Sequence, residues 1–289
     1  MRIAVAVDWS EPSFETVKSI GHMYQPSEVT LIHAVDLHPF ENPLLAPAVA
    51  KQAFEEFRAA MVDAGHKVLE QTSALLPRDG TKITRRLEIG RPATVILDVL
   101  KSVHPDLMIL GSRGRGLLTE VALGSVSHQV LLHAECSTLV MKRPVTTLQR
   151  VLVAIEGSAD AVYVRDWLLA HPFKQPVEVS ILSVVPRPHP LDAAAIPAFD
   201  VWENGTIQAA QDLVKEVSLT LSDAAGYRAT GRVLRGTPAD VITRDSMDHD
   251  LVVIGSHARH GVQRFLLGSV SQAVNHRAAC PVLMIRMKN

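Results

Sequence analysis

The chain contains a long internal repeat. The segment GSRGRGLLTEVALGSVS, which begins at Gly111, returns as GSHARHGVQRFLLGSVS 144 residues later, at Gly255 of this 289-residue protein. An apolar run precedes each copy, DLMIL before the first and DLVVI before the second. A repeat of this length is typical of two domains of one design, and the chain is long enough for each domain to bury its own core. The sequence therefore predicts a tandem protein with domains at 1–145 and 149–289.

The remaining segments of the two halves also align. RIAVAVD at Arg2 matches RVLVAIE at Arg150, and EVTLIHAVD at Glu28 matches EVSILSVVP at Glu178. Short runs of consecutive Val, Ile and Leu are typical of strands that are buried on both faces, as in parallel sheets. Stretches with the composition and period of helices separate these runs. Each half is therefore predicted to be a five-stranded, parallel-sheet α/β sandwich.

Proline and glycine mark the helix starts. Gly90 with Pro92 in GRPATVIL, and Gly236 with Pro238 in GTPADVI, combine a turn with a proline at the beginning of a helix. After the first strand, the pattern predicts a helix over residues 14–23.

Composition and charge exclude several classes of function. With 29 basic and 30 acidic side chains the net charge is −1, and no basic run supports a nucleic-acid partner. No apolar stretch approaches the roughly 20 residues that cross a bilayer, and the chain opens with a strand pattern rather than a signal peptide. We therefore expect a cytoplasmic protein without a membrane partner. Cys136 and Cys280, at equivalent places in the two halves, are expected to be buried thiols rather than a disulfide.

The repeated motif has the composition of a phosphate site. Gly111 ends the fourth strand, where glycine lets a ligand approach the backbone closely. Gly124 and Ser125 open a helix whose free N–H groups and dipole favour an anion. The hydroxyls of Ser125 and Ser127 add donors, and the guanidinium of Arg113 adds positive charge. A purely structural role, with Ser125 as a helix cap and the glycines as turn residues, explains the same pattern.

Other nucleotide and metal motifs are absent from the sequence. It has no Walker A motif, which excludes a P-loop NTPase. GSRGRG follows the fourth strand rather than the first, so it gives no support to a dinucleotide-binding dehydrogenase. The 13 histidines show no ligand spacing, so no metal site made by the protein alone is expected. Asp8, at the end of the first strand, is suited to accept a hydrogen bond from a ribose hydroxyl, and an ordinary turn aspartate in DWSEP explains it as well.

The G-x-x-G-x9-G-[ST] pattern, Asp8 close to Ser10, and the G-x-P turn before the third helix resemble the universal stress protein family, over essentially the whole chain as a tandem pair. The resemblance implies a Rossmann-like fold of the adenine nucleotide alpha hydrolase type. It also implies ATP, AMP or ADP across the carboxyl edge of the sheet, with Mg²⁺ alongside, and a role in stress response. Pairing through the fifth strands is usual in the family, which implies a pseudo-dimer within the chain or a homodimer.

The resemblance also assigns site residues in the first half. It places Asp8 at the ribose or adenine and the Val35 backbone at the adenine, and it counts Ser10, close to Asp8, among the nucleotide-binding residues. The residues that it places along the ribose and phosphates are Gly111, Arg113, Gly114, Gly124, Ser125, Val126 and Ser127.

The second half departs from the family pattern. Glu156 replaces Asp8, His257 replaces Arg113, and Ala258 replaces Gly114. A Cβ at Ala258 hinders the close backbone approach that glycine permits. The other residues of the corresponding second site are Val185, Gly255, Gly268, Ser269, Val270 and Ser271. We therefore predict an intact nucleotide motif in the first domain and an altered one in the second.

The leading hypothesis is a regulatory module that binds ATP with little or no turnover, because no residue is placed as a base for an attacking water. Two alternatives stay open. One is a slow ATPase or nucleotidyl-transfer enzyme on the same fold, which multiple turnovers of ATP would reveal. The other is a scaffold or a binder of a small ligand that is not a nucleotide, which the absence of retained nucleotide would favour.

Overall fold

The structure is a computed structural model that describes residues 1–40, 51–77, 80–112, 123–186, 196–224, 226–256 and 267–286. The chain divides into two compact units, Met1–Thr146 and Thr147–Asn289. Each unit has a parallel sheet and a hydrophobic core of its own. No helix in the described ranges is long and apolar enough to span a membrane.

The first unit alternates strands and helices along the chain. Its described elements are β1 (Arg2–Ala6), α1 (Glu11–Met23), β2 (Glu28–Val35), a short 3₁₀ helix (His38–Phe40), α2 (Lys51–Ser73), β3 (Lys82–Ile89), α3 (Pro92–Val103), β4 (Leu107–Gly111), α4 (Ser125–His133) and β5 (Ser137–Met141). The strands are parallel and lie in the order β3-β2-β1-β4-β5. The predicted parallel α/β architecture is therefore confirmed for this unit.

The second unit repeats this plan. Its described elements are β6 (Arg150–Ala154), α5 (Ser158–Ala170), β7 (Val177–Val185), α6 (Ile196–Ser222), β8 (Tyr227–Arg235), α7 (Pro238–Asp245), a 3₁₀ helix (Ser246–Asp248), β9 (Leu251–Gly255), α8 (Ser269–Arg277) and β10 (Val282–Ile285). Its parallel strands lie in the order β10-β9-β6-β7-β8. This order corresponds strand for strand to that of the first unit.

Both faces of each sheet are buried, as the apolar runs predict. In the first unit Ala4 and Met108 point toward α3 and α4 and belong to one core cluster. Because side chains alternate along a strand, Ile3, Val5 and Ile109 point to the other face, and they are equally buried. Cys136 and Cys280 are not joined in a disulfide and are buried in the cores of their units, which agrees with the expectation of buried thiols.

The predicted G-x-P turns lie at the starts of α3 and α7. Gly90 has φ +154° and Gly236 has φ +149°, values that side chains rarely adopt. Pro92 and Pro238 are the first residues of the following helices, where a missing N–H costs nothing. The first helix begins at Glu11, earlier than the predicted residue 14, because the first turn of a helix tolerates Pro12.

The strand order places a crevice at the same point of each unit. In the first unit β1 lies between β2 and β4. The chain adds β2 and β3 on one side of β1 and then crosses to add β4 and β5 on the other side. In the second unit β6 occupies the same central place, between β7 and β9. In open parallel sheets, ligands bind at the carboxyl ends of the strands on either side of such a reversal.

Candidate functional site

The strands bring three of the predicted site residues to one edge of the first sheet. Asp8 lies two residues beyond the end of β1, Val35 is the last residue of β2, and Gly111 is the last residue of β4. All of these strands are parallel, so their carboxyl ends meet at the same edge. This edge is the one at which the reversal of strand order predicts a ligand.

The carboxylate of Asp8 is held by the residues that follow it. The Ser10 backbone N–H donates to Asp8 Oδ1 over 2.9 Å, and the Ser10 hydroxyl donates to the same oxygen. The Asp8 N–H in turn donates to the Ser13 hydroxyl over 3.0 Å. Among the described residues no hydrogen bond reaches Asp8 Oδ2. The turn therefore fixes the carboxylate and leaves one oxygen as an acceptor.

The start of α4 presents unused hydrogen-bond donors. Gly124 is the residue before the helix, with φ −63° and ψ 154°, and it has no side chain to cap the first turn. Within the described ranges, the backbone N–H groups of Ser125, Val126 and Ser127 have no acceptor. The Ser125 side chain is exposed, and its hydroxyl makes no hydrogen bond to the described residues. Three aligned N–H groups and the positive end of the helix dipole form a site for an anion.

The Ser127 side chain has a different role from that of Ser125. It is buried, and its hydroxyl donates to the Gly111 carbonyl oxygen over 2.7 Å. The Gly124 N–H donates to the Ser112 carbonyl over 2.8 Å, which adds a second link between the two segments. The Ser127 hydroxyl thus joins the first turn of α4 to the end of β4, and only its backbone N–H is available to a ligand.

An exposed apolar side chain lies beside Val35. Val35 is buried, and its carbonyl accepts a hydrogen bond from the Gly90 N–H over 3.0 Å. Its partner in the neighbouring strand is Ile89, the last residue of β3, which is 44% exposed. The sequence reading did not single out Ile89, although its position directly before Gly90 at a strand end was a usable signal. It provides an exposed apolar surface at this edge of the sheet.

The second unit repeats the geometry at the start of α8. Gly268 precedes the helix with φ −60° and ψ 148°, and Val270 packs on the core. The Ser269 side chain is exposed, and the buried Ser271 hydroxyl donates to the Gly255 carbonyl over 2.8 Å. The framework of the motif is therefore present in both units.

The ends of β7 and β8 in the second unit keep the backbone arrangement found at the ends of β2 and β3. The Val185 carbonyl accepts from the Gly236 N–H over 3.1 Å, as Val35 accepts from Gly90. The partner of Val185 is Arg235, whose guanidinium lies 3.5 Å from a Glu203 carboxylate oxygen. A charged pair thus replaces the exposed apolar surface that Ile89 provides in the first unit.

A second carboxylate distinguishes the second unit. Glu156, the counterpart of Asp8, is exposed, and its backbone N–H lies 3.4 Å from Asp160 Oδ2. Asp160 Oδ1 is buried and has no hydrogen-bond partner among the described residues. Burial raises the pKa of Asp160 from 3.8 to about 6; the negative charge of Glu156 adds to this rise and the Glu156 N–H opposes it. The sequence reading missed Asp160, because no motif joins the start of α5 to β9.

Four residues named from the sequence lie outside the described residues: Arg113, Gly114, His257 and Ala258. Among the residues that are described, no group of three or more His, Cys, Asp and Glu side chains is arranged to hold a metal ion.

Comparison with known proteins identifies the family. The model of the universal stress protein family matches the chain twice, over residues 1–142 and 147–286. A universal stress protein of Mycobacterium tuberculosis is 28% identical over 289 residues, covering 98% of this chain and 92% of its own length. One from Methanocaldococcus jannaschii is 28% identical over 145 residues, 50% of this chain and 82% of its own length. The crystal structure of a universal stress protein from Archaeoglobus fulgidus has a TM-score of 0.66 at 20% identity and covers 99% of this chain and 98% of its own.

The fold is thus that of tandem α/β proteins with a paired motif at the carboxyl edges of their sheets. The chain belongs to the universal stress protein family, with one family domain in each unit.

Proposed function

We propose that the first unit binds an adenine nucleotide, ATP or its AMP or ADP forms, and that the protein acts as a regulatory module of the stress response. The observation that carries this proposal is the start of α4, where the N–H groups of Ser125, Val126 and Ser127 have no acceptor among the described residues. A phosphate group supplies the anionic oxygens that such donors bind. Membership of the universal stress protein family supports the same assignment.

The other site residues fit the remaining parts of a nucleotide. Asp8 Oδ2 would accept a hydrogen bond from a ribose hydroxyl, as carboxylates at strand ends do in other α/β nucleotide sites, and the bond from the Ser10 N–H to Oδ1 supports this role. The adenine would lie at the ends of β2 and β3, against Val35 and the exposed Ile89. Mg²⁺ would accompany the phosphates and offset their charge.

Binding without rapid hydrolysis is the expected activity. The described groups at the start of α4 are hydrogen-bond donors, whereas activation of a water requires a base beside the phosphates. The Ser10 N–H and hydroxyl already occupy Asp8 Oδ1. The site therefore has the chemistry to hold a triphosphate more readily than to cleave it.

The test is calorimetric titration with ATP and Mg²⁺ of the wild type and of Gly124→Asp. The new carboxylate would lie beside the phosphates, and we expect the affinity of the first site to fall by about a hundredfold or more. Aspartate is a favourable residue before a helix, and Gly124 has an ordinary φ of −63°, so the fold should be retained. Gly268→Asp, at the same place in the second unit, is the matched control and should leave the first site unchanged.

The alternatives predict different results. No ATP binding by the wild type at millimolar concentration would rule out this proposal and favour a scaffold or another ligand. Release of many phosphates per chain in a steady-state assay, lost in Asp8→Ala, would instead identify a slow ATPase.

A further inference from the structure

The two units differ in the first turn of the helix that follows their first strand. Asp8 and Glu156 follow the first strands of their units, and four residues further along the chain are Pro12 and Asp160. Pro12 belongs to the first turn of α1, and Asp160 to the first turn of α5. The second unit thus carries a carboxylate where the first has Pro12, and the acidic residue in the first turn of α1, Glu11, is exposed.

Asp160 is packed against the first glycine of the second motif. A Cβ added at Gly255 would overlap Asp160 Oδ1 and would lie 2.7 Å from its Cγ. The space that glycine leaves at the end of β9 is therefore filled by this carboxylate and is not open to a ligand. Gly255 is also the residue whose carbonyl binds the Ser271 hydroxyl in the first turn of α8. Asp160 therefore lies against the same residue that the first turn of α8 contacts.

No positive group compensates this carboxylate within the described residues. Asp160 Oδ1 is buried without a hydrogen-bond donor, and Oδ2 has the Glu156 N–H at 3.4 Å. Among the described residues, Glu156, in the loop after β6, is the charged group that acts on Asp160, and its charge is also negative. The described parts of α6, β9 and β10, which pack near α5, add no charged side chain that acts on it.

We propose that Asp160 determines the ligand selectivity of the second unit: its carboxylate excludes phosphate from the start of α8, so this unit accepts an adenine nucleotide only when residue 160 is neutral. The proposal rests on the proposed nucleotide binding by the family motif. At neutral pH the chain then holds one nucleotide, in the first unit. Because burial raises the pKa of Asp160 to about 6, its carboxyl changes charge between pH 5.5 and pH 7.5.

The experiment isolates the second site by using Gly124→Asp as the parent, which disables the first site. Calorimetric titration with ATP at pH 7.5 compares this parent with its Asp160→Asn and Asp160→Ala derivatives. We expect one site per chain in both derivatives, with an affinity at least about tenfold above that of the parent, in which no binding should be detected at the concentrations used. Asparagine keeps the shape and removes the charge, and alanine also removes the contact with Gly255. Thermal unfolding of each variant confirms that it is folded.

A second arm uses the Gly124→Asp parent with residue 160 unchanged and lowers the pH from 7.5 to 5.5. ATP binding at the second site should strengthen in this parent. Protonation of ATP affects both proteins alike, so the Asp160→Asn derivative, which lacks the carboxyl, should show no gain in affinity. One ATP bound by the parent at pH 7.5 would overturn the proposal. So would derivatives that bind none while the wild type binds one, a result that leaves the proposed function of the first unit intact. No binding by any protein, the wild type included, would overturn both.

Discussion

The Ser127 hydroxyl donates a hydrogen bond to the Gly111 carbonyl oxygen, 2.7 Å away. This bond joins the two ends of the segment between β4 and α4, and the pair Ser271 and Gly255 repeats it at 2.8 Å in the second unit. The repeat in the sequence is therefore a repeat of a hydrogen bond as well as of a motif. The two serines of the first motif have different roles: Ser127 holds α4 against the end of β4, and the exposed Ser125 hydroxyl is available to a ligand.

Ser127→Ala should lower the free energy of unfolding of the first unit by about 1–2 kcal/mol, because the Gly111 carbonyl loses a buried donor. Ser125→Ala should change stability by less than about 0.5 kcal/mol, since its side chain is exposed. The same Ser125 substitution should weaken ATP binding by about tenfold, because a donor to a charged phosphate is removed. Urea denaturation and calorimetry measure the two effects. A binding loss in Ser125→Ala with an equal loss of stability would contradict this division of roles.

Gly231 is required by the packing of β8 on α6. A Cβ at this position would overlap Val214 Cγ1 and would lie 2.8 Å from Ser218 Oγ. Gly231→Ala should therefore destabilise the second unit by about 1–3 kcal/mol, as overpacked cores do. Gly205→Ala, on the exposed surface of α6 with nothing within 4 Å of the new Cβ, is the control. It should stabilise the helix by up to about 1 kcal/mol, because alanine is the better helix former. Chemical denaturation of both variants provides the comparison, and equal effects would refute the packing argument.

The half-buried carboxyl of Asp160 should make stability depend on pH. Its folded pKa, about 6, lies above its ordinary value of 3.8, so the folded state favours the protonated form. The stability associated with this proton is fully present below pH 3.8 and is lost as the pH rises through about 6. At pH 8 the loss is about 3 kcal/mol for a shift of about two units. Asp160→Asn removes the titration, so its stability relative to the wild type should rise between about pH 4 and pH 6.5 and then level off. Urea denaturation across this range is the measurement, and a constant difference would contradict the assignment.

Most of the architecture could be predicted from local sequence. The apolar runs gave the parallel strands, because strands buried on both faces need consecutive apolar residues. Gly90 with Pro92 located the start of α3, since few residues adopt φ +154° and proline favours a first helical position. The predicted start of α1, residue 14, lies three residues after the observed start at Glu11, because Pro12 belongs to the first turn of the helix and does not end it.

The details of the site depended on contacts between distant segments. The sequence identified Ser127 as a donor but not its acceptor, because the bond to Gly111 forms only when α4 packs against the end of β4. Asp160 and Gly255 are 95 residues apart along the chain, and no local pattern relates them. Ile89 was overlooked because an apolar residue at a strand end is usually buried, whereas this one is 44% exposed.

Each unit contains a single cysteine, and both thiols are buried: Cys136 is 9% exposed and Cys280 is fully buried. A thiol reagent can reach either sulfur only when its own unit opens. Labelling rates, resolved by peptide mass, should therefore report the local stability of the two units separately in the intact wild-type chain. Saturating ATP should slow the modification of Cys136 and leave that of Cys280 unchanged at neutral pH, because ligand binding stabilises the unit that binds it. Equal protection of both thiols would show that the nucleotide stabilises the two units alike.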